Sequence, residues 1–406
     1  MRRVVVTGMG GITPYGSDWA RIGAALRSGR SAVRVMPEWD GFTELQTRLG
    51  VPVDDFRAPA HYPRKALRAM GRVAQMSVRA TELALEDAGL LGDPALSDGR
   101  TGIAYGSSFG SVAPVLALGR MMQTGRLREI TSTSYIQLMS HTAAVNIGLF
   151  FGLKGRVVTS SSACTSGSQA LGYAFEAIRY GRQELMVAGG SEELSSFHAA
   201  VFDTLFATST RNDSPEATPR PFDRDRDGLV VGEGAVTLVL EERERALARG
   251  ATIHAEILGF GTNADGAHVT HPAQETMAVV MEQALADAGL PASEIAWVSA
   301  HGTATEQGDI AESHATRKVF GRAVPIASLK GHVGHTLGAC GALEAWWGIA
   351  GTRDGWLPPT LNLAHPDPRC AELDYLMGEG RPPAGPVFMS NNFAFSGINT
   401  SLILRV

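Results

Sequence analysis

Short runs of β-branched residues alternate along this chain with longer Ala-rich stretches whose apolar positions recur every three or four residues. The first kind reads as strand and the second as helix. Strands are expected at Val4 to Thr7, Thr101 to Tyr105 and Arg156 to Ser160, with helices over Ala74 to Ala88 and Cys164 to Tyr180. After Arg249-Gly250 the order starts again: strand Ile253 to Gly259, helix Glu275 to Ala288, strand Trp297 to Ala300 and helix Asp309 to Val319. Such alternation predicts an α/β fold of parallel sheets covered by helices. The restart predicts two related halves, 1–250 and 251–406. Both first strands end in Gly-x-Gly, at Gly8-Met9-Gly10 and Gly259-Phe260-Gly261. The segment Thr208 to Gly234, dense in Arg, Asp, Pro and Gly, reads as a surface excursion.

With 406 residues, 44% of them hydrophobic and 19% charged, the chain can bury a large core. A net charge of -5 gives no general pull toward nucleic acid or anionic membrane, so an anionic partner must dock on a local patch. Met1-Arg2-Arg3 leads only into Val4-Val5-Val6, too short for the apolar core of a leader peptide. No apolar run is long enough to span a bilayer, and a cytoplasmic location is expected. Cys164, Cys340 and Cys370 show no paired spacing, so neither a disulfide framework nor a metal site is expected.

Candidate chemistry centres on Cys164. Ser160 to Ser168 follows a strand and opens a helix whose apolar residues Leu171, Ala174, Phe175 and Ile178 share one face. A thiol at a helix N-terminus meets unpaired N–H groups that favour thiolate and can hold an oxyanion. The same position also suits a small buried apolar filler. A thiolate nucleophile needs imidazole partners from distant sequence. His301 leaves the strand Trp297 to Ala300, and His335 sits in the turn Lys330 to Ala339. Each alone could be a hydrogen-bonded structural histidine; His332 competes with His335, which has glycine before it and small residues after. The other eight histidines, His268 and His271 among them, read as surface or wall residues.

Together these segments resemble the β-ketoacyl-[acyl carrier protein] synthases of the elongating Cys-His-His type, over essentially the whole chain. The matching motifs are Val4 to Gly10, Ser162-Ala163-Cys164-Thr165-Ser166-Gly167, Pro219 to Asp223 with Arg226-Asp227-Gly228, and His301-Gly302-Thr303-Ala304-Thr305 with Asp309 and Glu312. Lys330 to His335 and Ser390 to Asn399 complete them. The resemblance implies a thiolase fold, duplicated halves in a five-layered αβαβα core, usually dimeric. It implies Cys164 as acyl acceptor, His301 and His335 as donors to a malonyl thioester, Lys330 orienting the site, and Glu312 and Asp309 supporting it. The N–H groups of Cys164 and Phe395 would form an oxyanion hole, with Phe393 in the gate loop and Thr303 and Thr305 on the pantetheine arm. No cofactor is implied, since phosphopantetheine belongs to a partner acyl carrier protein. The partner subunit would be a second copy or a related ketosynthase-like chain.

Departures from the pattern also carry information. The gate reads Ala394-Phe395-Ser396-Gly397-Ile398-Asn399, with side chains at two positions that are usually glycine, which suggests a stiffer gate. Phe109 falls at a pocket-floor position that is often aliphatic, and Val333 stands where Thr is common. With Ser140 to Phe151 and Asn392 to Phe395, the chain is similar to the branch found in aryl-polyene pigment pathways. Arg64, Lys65 and Arg68, with Arg211, could meet an acidic carrier, although a solvated helix face fits them equally. A coenzyme A thiolase would need a second catalytic Cys in the C-terminal loop, and a non-catalytic chain-length subunit would normally lack Cys164. The turn Thr7 to Gly11 hints at dinucleotide binding, but the expected acidic residue about 20 positions on is absent.

Overall fold

Eleven strands join into one sheet in the computed structural model, which describes residues 1–267 and 270–406. The first half supplies β1 (Val4–Ile12), β2 (Thr101–Gly106), β3 (Val157–Ser160), β4 (Leu185–Glu192) and β5 (Gly234–Glu242). The second supplies β6 (Ala255–Ala264), β7 (Trp297–Ser299), β8 (Pro325–Ala327), β9 (Asp374–Tyr375), β10 (Val387–Phe393) and β11 (Ile398–Arg405). Their order is β9-β8-β7-β10-β11-β6-β1-β5-β4-β2-β3. Outward from β1 the pairings run antiparallel, antiparallel, parallel, parallel, and outward from β6 they do the same. The halves meet at a short antiparallel seam, Val4 opposite Ile257 and Val6 opposite Ala255.

Seven helices position the site: α1 (Arg72–Asp87), α2 (Thr142–Phe151), α3 (Ser166–Arg179), α4 (Ser196–Asp203), α5 (Gln274–Ala288), α6 (Glu306–Phe320) and α7 (Cys340–Arg353). Helices α1 and α2 cover the outside of the first half, α5 and α6 the outside of the second, and α3 and α7 pack against each other between them. This is the five-layered αβαβα thiolase-like core expected from the resemblance. The middle layer is the most deeply buried: Leu171, Phe175, Ile178, Trp346, Trp347 and Ile349 all belong to one apolar cluster. Each such side chain contributes roughly 1.5–3 kcal/mol on burial.

Two expectations need correction. The first strand does not stop at Thr7 but continues through the glycine pair to Ile12, and β6 likewise runs through Gly259 and Gly261. A Cβ at Gly10 would lie 2.6 Å from Ala84 N of α1, and one at Gly261 would lie 2.9 Å from Ala284 N of α5. The glycines therefore let a helix backbone rest directly on a strand, and they cradle no dinucleotide. The segment from Thr208 to Gly234 is no surface excursion. Ser209, Phe222, Asp223 and Leu229 to Gly234 are buried, and the charges are matched internally. Asp223 accepts from the N–H groups of Ala364 and His365, both at 2.8 Å, while the Arg226 side chain, 1% exposed, pairs with Asp367 at 2.6 Å.

Candidate active site

The turn that carries Cys164 is made by backbone conformation. Ala163 adopts a left-handed φ of 50°, Cys164 occupies a single 3-10 turn, and α3 begins two residues later at Ser166. Ser166 Oγ accepts from Ser162 N at 3.0 Å and donates to Ala163 O at 2.7 Å, closing the elbow. Cys164 is thereby held, buried, at the inner end of a cavity of about 370 Å³. Burial pushes its thiol up to about 12, opposed by the Lys330 charge and by the N–H groups of Phe395 and Cys164 itself. Those two amides favour charge on the sulfur.

The two imidazoles arrive from the other half. His335 follows β8, and its Nε2 lies 2.9 Å from Cys164 Sγ. His301 follows β7, with its ring centroid 5.2 Å from that of His335 in a T-shaped contact. His301 Nδ1 lies 3.4 Å from Lys330 Nζ and 3.4 Å from Asn392 Nδ2. An ammonium can only donate, so Nδ1 accepts and Nε2 carries the proton. Burial, reinforced by Lys330, holds both imidazoles well below the ordinary histidine range; each stays neutral. Lys330 is paired in turn with Glu344, at 2% and 1% exposure, and Glu344 accepts from Asn392 Nδ2 at 2.6 Å. Burial opposes the lysine charge and the Glu344 carboxylate maintains it.

The supporting carboxylates fix the turn after β7. Glu312 accepts from His301 N at 2.8 Å and from Gly302 N at 2.7 Å, while burial pushes its carboxyl up to about 8. Asp309 accepts from Phe222 N at 2.7 Å and Ala304 N at 3.2 Å, and burial raises it to about 6. Thr303 and Thr305, with hydroxyls 3.0 Å apart, line the cavity together with His271, Phe393 and Phe395. Ser396, after Phe395, has a left-handed φ of 70°, a costly conformation for a residue with a side chain.

Other candidates fall elsewhere. Phe109 does not line the cavity; it packs on Phe197 and His198 at 5.0 and 5.4 Å. His332 turns away, its Nε2 3.0 Å from Pro359 O. Arg64, Lys65 and Arg68 are exposed around a four-residue helix, Arg64–Leu67. Arg211 is half-buried, 3.4 Å from Asp227 and donating to Asp225 O at 2.6 Å. His268 lies outside the described residues. Sequence reasoning missed Glu344, although a lone charge in the otherwise apolar Cys340 to Ala350 was a usable signal.

Among the described residues, Cys164, His301 and His335 form the group of metal-capable donors that converges, with ligand atoms within 4.8 Å of one another. The tautomer argues against a metal there. A metal-binding imidazole normally donates its second N–H to an acceptor, whereas Nδ1 of His301 faces two donors. The site instead brings one thiol and two neutral imidazoles together within the cavity.

Fold and site therefore define a thiolase-like acyltransferase. Residues 1–246 match the model of the β-ketoacyl synthase N-terminal domain, and residues 254–364 match that of the C-terminal domain. The chain belongs to the β-ketoacyl synthase family. It is similar to a β-ketoacyl synthase crystal structure from Burkholderia phymatum STM815, with 62% identity, a TM-score of 0.99 and coverage of 100% of this chain and 99% of that one. The ishigamide ketosynthase/chain length factor superposes with a TM-score of 0.91 at 33% identity, covering 100% and 99%. The 3-oxoacyl-[acyl-carrier-protein] synthase 2 of Vibrio cholerae is 36% identical over 100% of this chain and 99% of its own. The enzymatic class is that of the 3-oxoacyl-[acyl-carrier-protein] synthases, acyltransferases that carry out condensation. No helix among the described residues is long and apolar enough to cross a membrane.

Proposed function

We propose that Cys164 carries the growing acyl chain and that His301 and His335 drive its decarboxylative Claisen condensation with malonyl-acyl carrier protein. The observation that carries this reading is the convergence of one thiol and two neutral imidazoles at the end of a channel. In the first step Cys164 Sγ attacks the primer thioester, its proton passes to the departing carrier sulfur, and the amides of Cys164 and Phe395 hold the oxyanion. The carrier thiol leaves with that proton. In the second step the imidazole N–H groups bind the malonyl thioester carbonyl, carbon dioxide departs, and the resulting enolate carbon attacks the acyl-enzyme. Cys164 leaves as thiolate and regains its proton from solvent. Lys330, charged through Glu344, holds His301 in the donor tautomer.

A second subunit is part of the proposal. Strand β3 ends the sheet, with Val157 54% exposed and its outer edge unpaired among the described residues, which invites another strand. A pigment pathway with a flat, conjugated primer is the finer reading, supported by the aromatic gate residues Phe393 and Phe395. Intact-protein mass spectrometry with saturated, polyunsaturated and aryl-primed carriers tests both levels. An acyl increment is expected on the wild type and absent from Cys164→Ala, whose condensation falls more than about a thousandfold. An equal increment on Cys164→Ala would remove the nucleophile, and fastest loading of saturated primers would remove the pigment assignment.

A further inference from the structure

At the mouth of the cavity stands a side chain that contributes little to folding. Helix α4 ends with Ala207 N donating to Phe202 O at 3.0 Å and Phe206 N donating to Asp203 O at 2.9 Å, a closing turn whose penultimate residue must be left-handed. That residue is normally glycine. Here it is Phe206, at φ 55°, and its side chain is 93% exposed. A phenylalanine at a glycine position bears conformational strain, and a solvated ring returns no burial to offset it. Leu205 beside it and Val201 one turn back are also exposed, so the apolar surface continues along α4.

We propose that Phe206, with Leu205, is a hydrophobic docking anchor for the acyl carrier protein. The inference rests on the condensing function proposed above and names how its partner is gripped. Both residues line the same cavity that ends at Cys164, so whatever covers them sits where the thioester arm must enter. A second copy of this chain seated there would cap the channel; a carrier delivers its arm through it. Arg211, the basic candidate tied to the lining residue Asp227, is already engaged with that aspartate and with Asp225 O. The mouth therefore adds apolar contact to whatever charge attraction draws an acidic carrier.

The test compares acyl-carrier protein with the same acyl group on free pantetheine, using the full-length enzyme and the variants Phe206→Ala and Phe206→Gly. Glycine relieves the left-handed strain and keeps misfolding out of the readout. Both variants are expected to raise KM for the acyl-carrier protein roughly tenfold, the scale of one buried interface anchor, while KM for acyl-pantetheine changes less than about twofold. An unchanged carrier KM, an equal rise with both substrates, or a shift in oligomeric state would each overturn the anchor. Failure of the wild type to condense either substrate would instead overturn the condensing function on which it rests.

Discussion

The two halves place an elbow at the same point of the fold, and only one elbow bears chemistry. After β3, left-handed Ala163 is followed by Cys164 and then α3; after β8, left-handed Leu337, φ 47°, is followed by Gly338 and then α7. Gly338 thus stands where the first half has Cys164. Its N–H donates to the buried Glu192 carboxylate at 3.2 Å, and an added Cβ would lie 2.8 Å from both Glu192 Oε2 and Ser108 N. Duplication gave both halves the same scaffold, and the halves then divided the labour. One offers a side chain at the elbow; the other offers His301 and His335 on the approach to it and fills the elbow itself with packing.

Three perturbations sharpen this contrast, the largest first. Glu344 is charge-paired inside an apolar helix of the second half, so Glu344→Ala leaves Lys330 buried and unpaired. Loss of about 3–5 kcal/mol in urea unfolding is expected, together with loss of condensation; retained stability would mean that water reaches Lys330. Gly338→Ala asks whether the second elbow can still hold a side chain. Overpacking of this kind costs roughly 1–3 kcal/mol, and a neutral result by the same measurement would show that Glu192 moves freely aside.

The smallest effect concerns His332, which burial holds at about 4. A histidine lowered on folding takes up protons first in the unfolded chain, so it removes stability as pH falls from about 6.5 toward 4. Replacing it should flatten that fall: from pH 7 to 5.5, His332→Gln is expected to lose roughly 1 kcal/mol less than the wild type. Parallel urea curves would mean that His332 is already solvated when folded. Glu312, raised by burial, pulls in the opposite direction over the same window, so only the difference between the two proteins isolates the histidine.

What the sequence disclosed follows from how each feature is encoded. Cys164, His301 and His335 stood out because small residues around a reactive one make a local pattern. The strands through Gly8 and Gly259 were cut short on paper because glycine looks like a turn when the helix it admits lies some 70 residues away for β1. Polarity misled between Thr208 and Gly234, since Asp223 and Arg226 are buried by partners, Ala364 and Asp367, that only the fold brings near. The strain at Phe206 is likewise invisible without backbone angles.

Among the described residues, the two repeats are joined in the sheet only by the short seam between Val4–Val6 and Ala255–Ile257. The thiol belongs to one repeat and both imidazoles to the other, so neither repeat is an enzyme on its own, and the reaction centre is in effect an intramolecular dimer interface.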